Sequence, residues 1–231
     1  PLLEAAAAAD PSVGRHVMLA TVQRQLGKRD AALEALKNAT KAADADRELL
    51  DQAEAHFLTF ELQLEGGDRE HAGSALASAL QTALAGRRSP QGDDGSGRAD
   101  RLLGRILDVY GLRREATAAY HRAFLRAGGD RQAQARAALD AIACAFVRGD
   151  LLAGREALRR GLDAELDPDD LIYGGLWVLM MEKRLGVASD GTAYRALGLP
   201  DRGNSWPGKL AAWASGRLKD DELRALSRTT H

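Results

Sequence analysis

The chain has 231 residues with 32 Lys plus Arg against 33 Asp plus Glu, so a net charge of −1 exerts no overall pull on nucleic acid. Hydrophobic residues at 45% and charged ones at 28% exclude wholesale disorder. Aromatics are only 5% and β-branched runs are scarce, so sheet is excluded in favour of an all-α fold.

In chain order, Pro1 to Ala9 reads as a short alanine-rich helix, and Asp10-Pro11 offers a cap and a first-turn proline for the next. It is too short, and lacks the basic leader, to be a signal peptide. A chain that begins at proline remains compatible with a processed leader, so envelope and cytoplasm both stay open. A first helical pair is expected near 12–26 and 29–43. Val17, Leu19, Ala20 and Leu26 form the apolar stripe of its first helix, and Ala32, Leu33, Leu36 and Ala39 that of its second. A second pair follows near 46–65 and 69–84.

Residues 86–97, rich in Gly, Ser, Pro and Asp, read as a flexible loop between pairs. Helical periodicity then resumes through a third unit (99–129), a fourth (130–168) and a fifth (169–197). The fifth opens on Asp169-Asp170 as N-cap and carries Trp177, Leu179 and Met180. A tryptophan-bearing cap is expected over 205–228, starting at Ser205-Trp-Pro207. The expectation is one domain of such pairs spanning 1–231.

A shared spacing links the pairs. Gly27, Gly67, Gly111 and Gly149 fall 40, 44 and 38 residues apart. Each is followed by a small, a bulky and a small residue: Ala32/Leu36/Ala39, Ala72/Leu76/Ala79, Ala116/Tyr120/Ala123 and Gly154/Leu158/Gly161. Two helices approach closely only where side chains are short, and a period of this size predicts stacked hairpins.

Leu103-Gly104 with Ala116, Tyr120 and Ala123 resembles the tetratricopeptide repeat, a two-helix unit of about 34 residues. The likeness extends over 12–196. With Leu176-Trp177, Leu185-Gly186, Trp206-Pro207, Leu210 and Gly216-Arg-Leu-Lys-Asp-Asp-Glu-Leu223, the tail over 171–226 is similar to the end of bacterial tetratricopeptide proteins, including outer-membrane lipoprotein adaptors. The resemblance implies a right-handed α-solenoid of about five hairpins, whose first helices line a concave groove. The groove positions it implies are Val17, Thr21 and Arg24; Glu54, Phe57, Glu61 and Leu64; Arg98, Arg101, Arg105 and Asp108; Arg136, Leu139 and Phe146; and Tyr173, Leu176 and Met180.

Arg98, Arg101 and Arg105 are spaced i, i+3, i+7 and share a helical face whatever the family. They lie in a stretch, 98–160, with 13 Arg and no Lys against 7 acidic residues. Arginine's planar fork suits carboxylates. Two readings stay open: the row meets an acidic partner, or Arg101 and Arg105 neutralise Glu54 and Glu61 of the adjacent helix. Phe57, Phe146 and Tyr173 would add apolar anchors.

No catalytic, metal or cofactor site is expected. The five histidines lack a ligand motif, no Gly-x-Ser-x-Gly or phosphate cradle occurs, and Cys144 reads as a small buried thiol in an apolar run. No stretch is long enough to cross a bilayer. The expected activity is a non-catalytic scaffold or adaptor holding a peptide or helix of another protein, acidic where it meets the arginines. The alternatives are a regulatory or sensory part of a larger protein and a helical enzyme. Self-association through exposed apolar ends is a further expectation.

Overall fold

The computed structural model describes residues 12–42, 48–89, 97–198 and 205–228. The expected helix at 1–9 and most of the segment read as a loop lie outside these. Among the described residues there are twelve α-helices and no strand. They are α1 (Val13–Gln25), α2 (Arg29–Ala42), α3 (Leu49–Glu65), α4 (Arg69–Arg88), α5 (Arg98–Val109), α6 (Arg113–Arg126), α7 (Arg131–Arg148), α8 (Leu151–Asp163), α9 (Pro168–Leu185), α10 (Thr192–Leu197), α11 (Trp206–Ala214) and α12 (Asp220–Arg228).

The helices form two compact units, Pro1–Ala119 and Tyr120–His231, with the division inside α6. In the first unit α1 pairs with α2 and α3 with α4, while α3 packs against both α1 and α5. In the second, α7 pairs with α8 and α9 with α10, α9 also packs on α7, and α11 packs on α9. The first helices of successive hairpins therefore lie side by side within each unit.

One turn design joins the two helices of five hairpins. Gly27, Gly67, Gly111, Gly149 and Gly186 hold φ between 65° and 80°, a left-handed conformation that costs any other L-residue about 1–2 kcal/mol. In each turn the next amide donates to the carbonyl five residues back: Lys28 to Gln23 at 2.8 Å, Asp68 to Gln63 at 2.9 Å, Leu112 to Leu107 at 3.0 Å, Asp150 to Ala145 at 2.9 Å and Val187 to Glu182 at 3.0 Å. This satisfies carbonyls at the helix end that have no intrahelical partner. The next helix is then capped by a side chain in two of these hairpins, where the Asp68 and Asp150 carboxylates accept from the amides of His71 and Ala153.

The small–bulky–small positions are all interior. Ala32, Ala39, Ala79 and Ala116 have no measurable exposure, and Leu36, Tyr120 and Leu158 are each at most 1% exposed. Gly154 and Gly161 are buried as well.

Four local readings are corrected. Leu26 is 65% exposed, because α1 ends at Gln25 and Leu26 turns outward; Val13, at the helix start, is buried in its stead. Helix α4 runs on to Arg88, through residues read as loop, because Gly86 packs where a Cβ would stand 2.8 Å from Leu50 Cδ2. The cap of α9 is Asp167, which accepts from the Asp169 amide, since Pro168 takes the first helical position and needs no donor partner. Cys144 is half-buried and its Sγ lies 3.1 Å from the Tyr120 hydroxyl.

Packing depends on hydrogen in place of methyl at several crossings. Gly175→Val should lower the unfolding free energy by about 1–3 kcal/mol, since even a Cβ would meet Ala196 Cβ at 3.0 Å and the Ala193 carbonyl at 3.2 Å. Gly73→Ala, on the exposed side of α4 with nothing within 4 Å of the added carbon, should raise it by about 0.5–1 kcal/mol. Urea unfolding followed by circular dichroism reads both, and midpoints that move together would contradict the packing described.

Candidate functional site

In the first unit the row of arginines on α5 meets carboxylates of α3. Asp51, Glu54, Glu61 and Glu65 recur at 3, 7 and 4 residues along α3 and so share one face. Arg98 grips Glu54 with two hydrogen bonds, Nε to Oε1 at 3.0 Å and Nη2 to Oε2 at 2.7 Å, and also pairs with Asp51. Arg105 donates from Nη2 to Glu61 Oε1 at 3.0 Å. On the opposite flank Arg24 of α1 bonds the other Glu61 oxygen, Oε2, at 2.5 Å and pairs with Glu65. Glu61 thus bridges the helices on either side of its own.

Most of these groups are about one-quarter to one-third exposed, with Glu61 at 25% and Arg98 at 33%, while Glu65 is 52% exposed. Burial pulls the Arg98 guanidinium toward deprotonation, but the hydrogen bonds and charges of Glu54 and Asp51 outweigh it and hold its pKa above the ordinary value. The same balance raises Arg24, through Glu65 and Glu61.

Phe57 lies beneath this layer. It is 3% exposed, and the Arg105 guanidinium stands 4.5 Å from its ring centroid, a cation–π contact that closes the ring off from solvent. Arg101 is half-buried and also makes polar or electrostatic contact. Four of the residues singled out from the sequence, Arg98, Arg105, Phe57 and Glu61, therefore belong to one charge-coupled cluster. The pairing in fact runs from Arg98 to Glu54 and from Arg105 to Glu61.

The second unit presents a different surface. Arg136 on α7 is exposed, and Phe146 is half-buried, stacked on Trp177 of α9 with ring centroids 6.5 Å apart. Tyr173 and Met180 of α9 are 37% and 54% exposed. Trp177, absent from the residues picked out as binding positions, completes the row; its i+4 spacing from Tyr173 was the available signal.

At the start of α9 a cleft of about 560 Å³ is lined by Arg131, Gln132, Leu166 and a run of carboxylates, Glu165, Asp167, Asp169 and Asp170. Burial, then the charges of Asp167 and Asp169, raise the Asp170 pKa, and Arg136 only partly opposes them. Elsewhere, burial lowers the pKa of His56. Among the described residues, no three His, Cys, Asp or Glu side chains converge as a metal site, and no helix is long and apolar enough to cross a membrane.

The geometry makes Glu61 the joint of the first unit. Glu61→Ala should cost about 1–2 kcal/mol, because it takes the Arg105 carboxylate away and leaves Arg24 with Glu65 alone. A double-mutant cycle on Arg24 and Glu61 should give a coupling of about 0.5–1 kcal/mol that shrinks in 1 M NaCl, where the screening length is about 3 Å. Zero coupling at low salt would refute the joint.

No model of a known protein family matches the chain, and no curated protein aligns with it significantly.

Proposed function

We propose that the chain is a non-catalytic interaction scaffold of tetratricopeptide type, a right-handed stack of hairpins whose first helices receive a peptide or helix of another protein. The observation that carries this reading is the side-by-side packing of α1, α3 and α5 in one unit and of α7 and α9 in the other. Such packing turns single helix faces into broader surfaces, as extended recognition requires. The repeated turn and the small–bulky–small register support it further, because both recur from hairpin to hairpin as a repeat requires.

The arginine row contributes to this reading as framework. Arg98 and Arg105 already hold carboxylates of their own chain, so an acidic ligand would exchange like for like and gain little. The exposed aromatic and methionine positions of the second unit are the better anchors, since a partner that covers them removes apolar surface from water.

The test places a photo-crosslinking residue at Thr21 or Tyr173 on first helices, or at Lys37 or Arg159 on second helices, all four being exposed. The first pair should capture a partner from the native lysate, and excess unmodified protein should compete it away. Equal capture from all four positions, or capture from the second helices alone, would overturn the reading.

A further inference from the structure

The exposed face of α9 has an ordered chemistry. On a helical wheel Asp169 and Asp170 flank Tyr173 one turn upstream, Leu176 and Trp177 follow one turn downstream, Met180 comes next and Arg184 closes the row. The opposite face is interior: Leu171, Ile172, Gly174, Gly175, Val178, Leu179, Met181 and Glu182 are all buried. From Tyr173 to Met180 the apolar row runs about 10 Å along the axis, which is the reach of two helical turns. Phe146 of α7 widens it by stacking on Trp177.

An unpartnered apolar row could take many occupants, and the charge at its end narrows them. Asp169 and Asp170 are half-buried and line the acidic cleft at the start of α9 together with Glu165 and Asp167. Burial first, then the charges of Asp167 and Asp169, make the charge on Asp170 costly, and Arg136 of α7 offsets only part of that cost. A cation brought alongside relieves that cost, whereas an acidic peptide or an anionic membrane surface increases it. A helix suits the row better than an extended strand, because residues spaced i, i+3/i+4, i+7 on a partner match the spacing of Tyr173, Trp177 and Met180 on α9.

We propose that this face of α9 docks an amphipathic helix of a partner protein that carries lysine or arginine beside its apolar positions. The proposal rests on the scaffold reading and adds the chemistry of the partner. It also reverses the expectation of an acidic ligand drawn from the arginine row.

The experiment uses the full chain and two labelled synthetic peptides with one leucine stripe each, the polar positions filled by lysine in one and by glutamate in the other. Fluorescence anisotropy reads binding. The leucine–lysine peptide should bind with a dissociation constant below about 100 μM, and the leucine–glutamate peptide at least about ten-fold more weakly. Met180→Glu should weaken the first by about ten-fold or more. Asp169→Asn with Asp170→Asn should weaken it and flatten its salt dependence. Leu152→Glu, on α8 and 78% exposed, should leave it unchanged, which separates the stripe from general stickiness.

All substituted side chains are at least partly exposed, so circular dichroism should match wild type. Equal binding of the two peptides, indifference to Met180→Glu, or no binding at about 100 μM would each overturn the proposal. Capture of a partner at Thr21 or Tyr173 together with failure of the lysine peptide would sink the chemistry and leave the scaffold standing.

Discussion

Close approach of helices through alanine and glycine is the constraint on which everything else in this molecule depends. The chain has few aromatic residues to fill space, and its buried set is dominated by alanine: Ala20, Ala32, Ala39, Ala53, Ala55, Ala79 and Ala83 show no exposure at all. An alanine buries little area by itself. It lets two backbones come near enough for the few large residues, Leu36, Leu76, Tyr120 and Leu158, to make contacts on all sides. Glycine extends the logic in α9, where an added Cβ at Gly174 would stand 2.8 Å from Ile142 Cδ1, and one at Gly175 would stand 3.0 Å from Ala196 Cβ. The helix can therefore pack against α7 and α8 on one side and α10 on the other.

This constraint is local in sequence, which is why so much of the fold was legible. A turn glycine and the small residues after it lie within about a dozen positions of each other, and each has a backbone or steric reason to be what it is. The helix ends were less readable. Leu26 continues the apolar period one residue beyond the last turn of α1, so periodicity alone enrolled it in a core it does not reach. Gly86 and Arg87-Arg88 have the composition of a loop, and only the contact of Gly86 with Leu50 reveals why the helix persists. The cap of α9 was misplaced by two residues because three aspartates compete for the role and Pro168 decides among them.

Side-chain partners across more than forty residues were the hardest part. The arginine spacing on α5 established a shared face, and the two readings of that face differed only in where the carboxylates came from. Glu54, Asp51 and Glu61 supply them. The second unit repeats the device where no spacing announced it. Glu182, 2% exposed in α9, takes two bonds from Arg155 of α8 at 2.9 and 3.1 Å, and Arg155 also reaches the Ala188 carbonyl at 2.6 Å. A buried carboxylate needs such a partner, because its desolvation is otherwise uncompensated. Nothing in the sequence around Glu182 distinguishes it from a solvated surface acid.

Equivalent positions on first helices therefore serve two ends. On α3 and α5 they carry opposite charges that are consumed in fastening neighbours together, and Phe57 is sealed beneath Arg105. On α9 they carry Tyr173, Trp177 and Met180, which leave apolar area in water. An incoming group gains free energy where the protein has left its own interactions incomplete. A carboxylate brought to Arg98 displaces Glu54 and must leave a half-buried acid without its cation. A leucine brought to Met180 displaces only water, at a gain of about 25 cal/mol for each Å² removed from solvent. The two faces therefore differ in what they leave unspent: the charged face of the first unit uses its interactions to fasten α1, α3 and α5 together, whereas the face of α9 keeps apolar area in water.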